Sequence, residues 1–436
     1  MPSDSRQVPR SSRFAEAAKR LPPRVLEIAR AVADEGGACY LVGGWVRDAM
    51  LGIPSKDVDV EVHRLPEERL ERLLRRFGRP SSVGRSFGIL LMKVDGEEVD
   101  FALPRVERKT GDSHRGFAVR TDPEMGFAAA AARRDFTINA MGLKLPELEL
   151  CDPYGGEKDL DAGLLRHVGP AFGEDPLRAL RGAQFAARFG LEIVPETLEI
   201  CSEQDLSTLS VERIDEEFRK LLLKPERPSV GLEALKKMEL LRFFPELELP
   251  EEPWARTLRA ADAAARLRGG LPGESRLPLM LAALCSGLEL PAANALLERL
   301  TRDLRVAKAA LARVARIPSL RAFAADPGSD AFGRPWARRL ALDLPLADAL
   351  ALLGALGAAS GGAVPDAAPR LRALAGEAGV LEAPPKPWLQ GRDLSALGMK
   401  PGPKMGEVLR EAFEKQLDEE FSSPEEALAW VKKTAF

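Results

Sequence analysis

Two aspartates separated by one residue, Asp57 and Asp59, are the part of this sequence best suited to do chemistry. In the segment 57–63 acidic residues alternate with valines, which predicts a strand over 58–63. The valines then face a core, and the two aspartates, about 6.5–7 Å apart at Cα, face one common site. Neighbouring carboxylates repel each other unless cations lie between them, and oxygen ligands suit Mg²⁺. The pattern therefore predicts a two-metal site for phosphoryl transfer.

A glycine pair, Gly43 and Gly44, lies between a predicted strand (39–42) and a short predicted helix (45–51). Glycines let backbone N–H groups approach a phosphate, and the N-terminus of a helix adds a partial positive charge. Most glycine pairs are ordinary turns, so the pair alone is a weak signal. It gains weight from Arg47 and from the two aspartates that follow.

The combination of GGWVRD at 43–48 and DVD at 57–59 resembles motif A of the class II nucleotidyltransferases of the polymerase-β superfamily. This family comprises tRNA CCA-adding enzymes and bacterial poly(A) polymerases. The resemblance implies that Asp57 and Asp59 are catalytic and hold two Mg²⁺ ions. It also implies that Gly43, Gly44 and Arg47 bind the nucleotide triphosphate. The alternative is a solvated acidic strand edge beside an ordinary turn.

Asp100 lies in the second of two further predicted strands, 88–94 and 98–103, which the turn Asp95-Gly96 joins. Many polymerase-β relatives carry a third carboxylate over the metals, and Asp100 is the candidate for that role here. The alternative is a polar residue that faces solvent. Both interpretations remain open from the sequence.

A basic, turn-rich segment follows at 105–120. It is either a mobile flap that contacts RNA or helps to change nucleotide specificity, or a solvated hairpin. Members of the family carry a flexible loop at this place, and CC-adding relatives typically have it shortened. The full length of the segment here favours complete CCA addition.

The segment ARRDFTINAM at 132–141 resembles motif B of the same family. Arg134 can reach a phosphate or ribose, and Asp135 can accept a hydrogen bond from a ribose 2′-hydroxyl, which would favour ribonucleotides. The alternative is an aspartate at a helix N-cap with arginines on either side. Both residues are predicted to bind nucleotide.

A third signature lies at 173–190, where Asp175 and Pro176 predict a helix start. Arg178 and Arg181 follow at a spacing of three and share one helix face. The segment resembles motif D, EDxxR, in which Asp and Arg hydrogen-bond the Watson–Crick edge of the incoming base. The resemblance implies that Asp175 and Arg178 select the base without a nucleic-acid template, with Arg181 beside the base or the phosphates. Many relatives have a further arginine where this chain has Gln184, so that role is not carried over.

The C-terminal half lacks the residues of a second metal site that is common in the family. The HD phosphohydrolase domain of relatives needs histidines, and the three histidines here are His63, His114 and His167. Phosphohydrolase activity of that type is therefore not expected. Six arginines could instead form a positive face for RNA: Arg305, Arg313, Arg316, Arg321, Arg338 and Arg339.

Composition indicates an intracellular protein with ample core. The chain has 436 residues and a formal net charge of −3, and its four cysteines are far apart with no zinc-site spacing. Such cysteines are typical of buried thiols in a reducing compartment. The sequence has no apolar run long enough to cross a membrane and no signal peptide, so we expect a cytoplasmic location.

The expected fold class is α+β: a polymerase-β-like head with a small mixed sheet, followed by an all-helical neck, body and tail. The predicted divisions are a flexible leader (1–21), the catalytic head (22–152), the neck with the base-reading motif (153–225), a degenerate HD-like body (226–383) and a tail that contacts tRNA (384–436). In the neck, Glu212, Arg213 and Glu217 are expected to form structural ion pairs.

These features together predict a template-independent nucleotidyltransferase that adds CMP and AMP to the 3′ end of tRNA and releases pyrophosphate. The expected partners are ATP, CTP and the 3′ end of tRNA or another RNA. The local motifs do not separate this function from a poly(A) polymerase or from a CC-only or A-only enzyme on the same scaffold. A more distant alternative is a non-catalytic RNA-binding protein.

Overall fold

The computed structural model describes residues 10–55, 57–82, 88–109, 117–360 and 367–435. The chain forms two compact units, Met1–Leu209 and Ser210–Phe436. The boundary between them falls inside the predicted neck (153–225), and the five-part division of the chain stays a prediction.

Unit 1 contains a mixed sheet that has seven strands among the described residues, in the order β3-β4-β5-β2-β1-β8-β9. The parallel contact is between β2 and β5. The strands of unit 1 are β1 (Ala38–Val42), β2 (Val58–His63), β3 (Ser81–Ser82), β4 (Ile89–Val94), β5 (Glu97–Ala102), β6 (Arg105–Lys109), β7 (Phe117–Thr121), β8 (Gly142–Leu145), β9 (Glu149–Cys151), β10 (Leu164–Leu165) and β11 (Glu192–Ile193).

The helices of unit 1 are α1 (Arg10–Ala18), α2 (Pro23–Asp34), α3 (Gly44–Leu51), α4 (Glu67–Leu74), α5 (Phe127–Ala131), α6 (Gly156–Ala162), α7 (Leu177–Phe189) and α8 (Pro195–Ser202). The predicted strand over 58–63 is confirmed, and Val58, Val60 and Val62 are buried as the alternation requires. The mixed-sheet head followed by helices confirms the predicted α+β class.

The N-terminal leader differs from the sequence prediction. Residues 10–18 form α1, in which Phe14 is 4% exposed and packs with Ala18 into the core. Arg13 donates a hydrogen bond to the carbonyl of Met50 at 2.9 Å. These contacts order a segment whose polar composition suggested flexibility, and residues 1–9 lie outside the described part.

Two smaller pairs of strands depart from or refine the sequence prediction. β6 and β7 form an antiparallel hairpin, so the basic segment 105–120 is a hairpin in its described residues, and 110–116 lie outside them. β10 and β11 pair in parallel within a region that was predicted to be purely helical.

Unit 2 is helical in its described residues. Its helices are α9 (Val211–Leu223), α10 (Pro228–Lys237), α11 (Glu251–Leu267), α12 (Gly273–Leu284), α13 (Leu290–Leu300), α14 (Leu304–Ala325), α15 (Arg334–Asp343), α16 (Leu346–Ala359), α17 (Ala368–Glu377), α18 (Gly391–Ala396), α19 (Pro403–Leu417) and α20 (Pro424–Ala435). α11 packs on α16, and α12 packs on α14. Helices α18–α20 enclose an apolar cluster that includes Leu394, Phe421 and Val431.

One arginine predicted for an RNA-facing surface is in the core of unit 2. Arg313 is 5% exposed and forms an ion pair with Asp348, which is 1% exposed. The hydroxyl of Ser275 also donates to Asp348, at 3.1 Å. Burying either charge alone would be costly, so this pair holds α12, α14 and α16 together. The prediction for Arg313 is wrong.

The cysteines are free thiols. Cys39, Cys201 and Cys285 are buried, and burial raises the pKa of each to about 12. Among the described residues no single helix is long and apolar enough to cross a membrane, and α15 with α16 meets that length and composition only as a pair bent by 100°.

Candidate active site

The parallel contact between β2 and β5 brings two acidic residues side by side. Asp59 on β2 is the register partner of Asp100 on β5. Asp57 directly precedes β2, and it raises the pKa of both other carboxyl groups. The sheet therefore places Asp100 beside Asp59 and close to Asp57 in sequence register, and the role of Asp100 as a third metal ligand stays a prediction.

The three carboxylates repel one another. Loss of solvent around the carboxyl group raises the pKa of Asp59 most, followed by the charges of Asp100 and Asp57, while Arg134 lowers it. The pKa of Asp100 is raised by burial first, then by Glu98 and Asp57. A divalent cation between these groups would relieve the repulsion.

The donor set suits Mg²⁺. In the described part of the chain, no three or more His, Cys, Asp or Glu side chains are already gathered around one metal position. Mg²⁺ does not need such a cage, because it is usually held by one or two carboxylates and completed by water and substrate phosphate oxygens. Asp57, Asp59 and Asp100 supply oxygen ligands of that kind.

A cavity of about 360 Å³ opens over the carboxylates. Arginines line the same cavity as the acidic residues, so a polyanionic ligand would find positive charge beside the candidate metal site. The charged residues that line the cavity are Asp59, Glu61, Asp100, Arg105, Arg133, Arg134 and Arg178.

The glycine turn between β1 and α3 lies close to two arginines. Gly43 has a φ of +65°, and a Cβ there would lie 3.2 Å from Nη1 of Arg134. A Cβ at Gly44 would lie 3.3 Å from Nη2 of Arg47. Glycine is therefore required at Gly43 for its backbone conformation and for the approach of Arg134.

Arg47 does not face the cavity as the sequence prediction assumed. It is 4% exposed, and its guanidinium donates to Asp48 at 2.7 and 2.9 Å and to Oδ1 of Asn139 at 2.5 Å. The same guanidinium lies 4.4 Å from the ring centroid of Phe189. These contacts join α3 to the segment after α5 and to α7. Arg47 therefore stabilises the glycine turn from the interior of the protein.

Asp135 is also committed to the protein interior. Oδ1 accepts from the backbone N–H of Phe136 at 2.8 Å and from Asn139 at 2.9 Å, and Arg181 donates to Oδ2 from 2.7 and 2.8 Å. Burial by itself would raise the pKa of Asp135. Arg181, Asn139 and the Phe136 N–H together lower the pKa by more than burial raises it, so it lies below its ordinary value. A ribose hydroxyl would therefore compete with these donors for the contact that the sequence predicts for Asp135, and Arg181 is held by the same ion pair.

Asn139 connects Arg47 with Asp135. Its side-chain oxygen accepts from Arg47 and its nitrogen donates to Asp135. A continuous chain of charged and amide groups therefore runs from α3 through Asp135 to Arg181 on α7. Motifs A, B and D, which lie far apart in sequence, are tied together by these side chains.

The predicted base-reading pair has different surroundings for its two members. Arg178 lines the cavity and donates to the carbonyls of Ala171 at 2.6 Å and Arg133 at 2.8 Å, and burial lowers its pKa. Asp175 accepts from the backbone N–H of Leu177 at 3.1 Å at the start of α7. Gln184, at the position of the missing arginine, is 1% exposed.

Sequence reasoning missed Glu61 and His63. Glu61 accepts from Arg134 at 3.0 Å and lies 2.8 Å from Nε2 of His63. Both residues follow Asp57 and Asp59 on the same face of β2, and this alternation was the available signal. Their partners on the segment 125–134 were not visible in the local pattern.

Comparison with known proteins first defines the class. Residues 39–166 match the family described as poly A polymerase head domain, and residues 190–249 match the probable RNA and SrmB-binding site of polymerase A. These matches cover the sheet, the glycine turn and the carboxylates. The resemblance to the class II family is thereby confirmed.

A curated relative matches about half of this chain. A multifunctional CCA protein from Xylella fastidiosa is 43% identical over 219 residues, which are 49% of this chain and 50% of the relative. The chain thus spans about half the length of the curated relatives it matches.

Solved structures share the fold over nearly the whole chain. The Thermotoga maritima CCA-adding enzyme complexed with tRNA-CCA has a TM-score of 0.66 at 20% identity, with 98% of each chain covered. The Bacillus stearothermophilus CCA-adding enzyme in complex with CTP has a TM-score of 0.69 at 24% identity, covering 95% of this chain and 98% of that one.

Proposed function

We propose that this protein is a metal-dependent, template-independent nucleotidyltransferase that adds CMP and AMP to the 3′ end of tRNA. The observation that carries the proposal is the register of Asp59 with Asp100 at a cavity lined by arginines, beside the Gly43-Gly44 turn. The match of residues 39–166 to the poly A polymerase head domain supports the reaction class. The named relatives and neighbours, which are CCA proteins, support the substrate.

The acidic residues provide the metal site of the proposal. Asp57 and Asp59 would hold two Mg²⁺ ions, with Asp100 as a third carboxylate. When bound, the metals would activate the 3′-hydroxyl of the RNA and neutralise charge on the triphosphate. The mutual repulsion of the carboxylates supports this assignment.

The glycine turn and the arginines provide the triphosphate site. The turn at Gly43 and Gly44 lies next to Arg134, which is partly exposed to the cavity, and its backbone N–H groups would serve as donors to the phosphates. An arginine beside backbone donors matches the geometry of phosphate oxygens. We assign Arg47 and Asp135 to bracing this site rather than to touching the nucleotide.

Selection of the base is assigned to α7 and to the residues that directly precede it. Arg178 lies at the cavity, and its guanidinium would exchange its bonds to backbone carbonyls for bonds to the base. Asp175, whose side chain accepts from the backbone N–H of Leu177 just before α7, is the second candidate. An acceptor and a donor at one base edge can distinguish cytosine from adenine without a template strand. A cytoplasmic location follows for an enzyme that acts on tRNA, and the buried free thiols agree with it.

A poly(A) polymerase is the second candidate, because the matched head family carries that description. One assay separates the two. Purified protein and Mg²⁺ are incubated with tRNA that ends before CCA, before CA or before A, and with CTP, ATP or both. Addition that stops after completing CCA supports the proposal, whereas long adenylate ladders on a generic RNA contradict it. Addition of two cytidines and no adenosine would identify a CC-only enzyme.

A further inference from the structure

A chain of hydrogen-bonded side chains at the wall of the cavity runs from His63 through Glu61 to Arg134. Glu61 and His63 lie on β2 beyond Asp59 and are 9% and 3% exposed. The carboxylate of Glu61 is divided between two partners: Oε2 accepts from Nη2 of Arg134 at 3.0 Å, and Oε1 lies 2.8 Å from Nε2 of His63. A charged residue so deeply buried needs partners of this kind, and both are present.

His63 anchors the far end of the chain. Its Nδ1 lies 2.8 Å from the backbone carbonyl of Met125. A carbonyl only accepts, so Nδ1 carries a hydrogen and donates it to Met125. The imidazole is held in place by Tyr40, whose ring meets it edge-on at 5.1 Å. The contacts of His63 therefore fix the position of the Glu61 carboxylate, which in turn accepts from Arg134.

Arg134 lies where this anchoring matters. Its side chain is 22% exposed and lines the cavity together with Asp59 and Asp100. Its Nη1 lies 3.2 Å from the position that a Cβ on Gly43 would take. The long, flexible side chain of an arginine loses conformational entropy when it binds a ligand. A partner that already restricts the side chain before binding makes that loss smaller.

We infer that Glu61 and His63 are positioning residues that hold Arg134 toward the triphosphate of the incoming nucleotide. The inference rests on the proposed function. Glu61 does not touch the nucleotide in this account but fixes the direction of the guanidinium that does. The triphosphate is common to CTP and ATP, so the effect is independent of the base.

The test is a double-mutant cycle on nucleotide addition, with KM and kcat measured separately for CTP and ATP. Glu61→Gln keeps the shape and removes the charge, and it should raise both KM values about tenfold while kcat changes less than about twofold, since uniform binding is lost. In an Arg134→Met background, Glu61→Gln should have no further effect on KM. Equal effects in both backgrounds would overturn the inference, because Glu61 would then act independently of Arg134.

A second variant and a matched control keep the test independent of folding. His63→Phe retains a ring beside Tyr40 but loses both nitrogens, and it should raise KM in the same direction by about threefold. Glu149→Gln, at an exposed glutamate on β9, should leave both constants unchanged. Melting temperatures are recorded for each variant, and a kcat loss that follows the melting temperature at constant KM would contradict a positioning role. Wild-type protein that adds no nucleotide would instead defeat the proposed function.

Discussion

Asp59 and Asp100 are direct neighbours across the parallel contact between β2 and β5. Burial raises the pKa of both carboxyl groups, and nearby carboxylates raise it further; Asp57 acts on both groups. A protein gains no stability from such repulsion, so the arrangement indicates a site that is completed by cations. This relationship connects the sheet topology to the proposed chemistry.

The first prediction concerns Asp100→Asn. Without metal this variant should melt at a higher temperature than wild type, because one repelling charge is gone. With Mg²⁺ its melting temperature should rise less than that of wild type, because the site has lost a ligand. Thermal denaturation over a Mg²⁺ series measures both effects. The control is Glu97→Gln on the opposite face of β5, which should follow wild type, and an unchanged Mg²⁺ response in Asp100→Asn would exclude Asp100 from the site.

The second prediction compares two glycines that both have a positive φ. Gly43 has a φ of +65° and Gly52 a φ of +71°, but a Cβ meets Arg134 only at Gly43, and nothing lies within 4 Å of it at Gly52. Gly52→Ala should lose about 1 kcal/mol of unfolding free energy to the left-handed conformation. Gly43→Ala should lose more, about 1–3 kcal/mol, because a ψ of −128° puts this residue outside the left-handed region that other residues can adopt. Gly43→Ala should in addition raise KM for both nucleotides. Equal kinetics for the two variants would show that the approach of Arg134 to the turn has no role in binding.

The third prediction concerns the brace between motif B and α7. Asp135→Asn keeps the acceptor for Phe136 and Asn139 but removes the charge that Arg181 pairs with. The free energy of unfolding should fall by about 2 kcal/mol, less than for a fully buried pair, because the Arg181 side chain is 32% exposed. Urea denaturation measures the change. Asp34→Asn, at an exposed aspartate of α2, serves as the control, and a loss no larger than in this control would contradict the brace.

The fourth prediction is the pH dependence of that contribution. The folded-state pKa of Asp135 lies below its ordinary value of 3.8. The stabilisation is therefore fully present above that value and is lost as the pH falls through the lower folded-state pKa. The difference in unfolding free energy between wild type and Asp135→Asn should be constant from neutral pH to about pH 5 and shrink only in stronger acid. A difference that grows on acidification would mean that the pKa is raised.

The sequence was sufficient for the parts of the site that depend on local pattern. The alternation of valines and acids defines β2 over Val58–His63, and the residues that line the cavity with Asp59 include Arg134 and Arg178. Spacing does not specify the direction of a side chain, however. Arg47 follows the glycine turn as the motif requires, yet its guanidinium points into the interior because Asp48 and Asn139 accept from it.

Long-range partners account for most of the remaining differences. Glu61 and His63 meet Arg134 and Met125, which are more than sixty residues away in sequence. The ion pair between Asp135 and Arg181, which are 46 residues apart, is not visible in the local motif that suggested a ribose contact. Helix α1 was missed because only Phe14 and Ala18 among its described side chains are buried, which is too weak a pattern to recognise.

The most direct test of the account is the rate of AMP addition to tRNA that ends in CC, measured for wild type and Asp59→Asn with saturating ATP and Mg²⁺. Asparagine has nearly the same volume and removes only the charge that a metal needs. Wild type should add one nucleotide and stop, and Asp34→Asn should retain this rate. Asp59→Asn should lose about a thousandfold or more of the rate, although in the absence of metal it should melt no lower than wild type. An Asp59→Asn variant that adds AMP at a rate close to wild type would contradict the account.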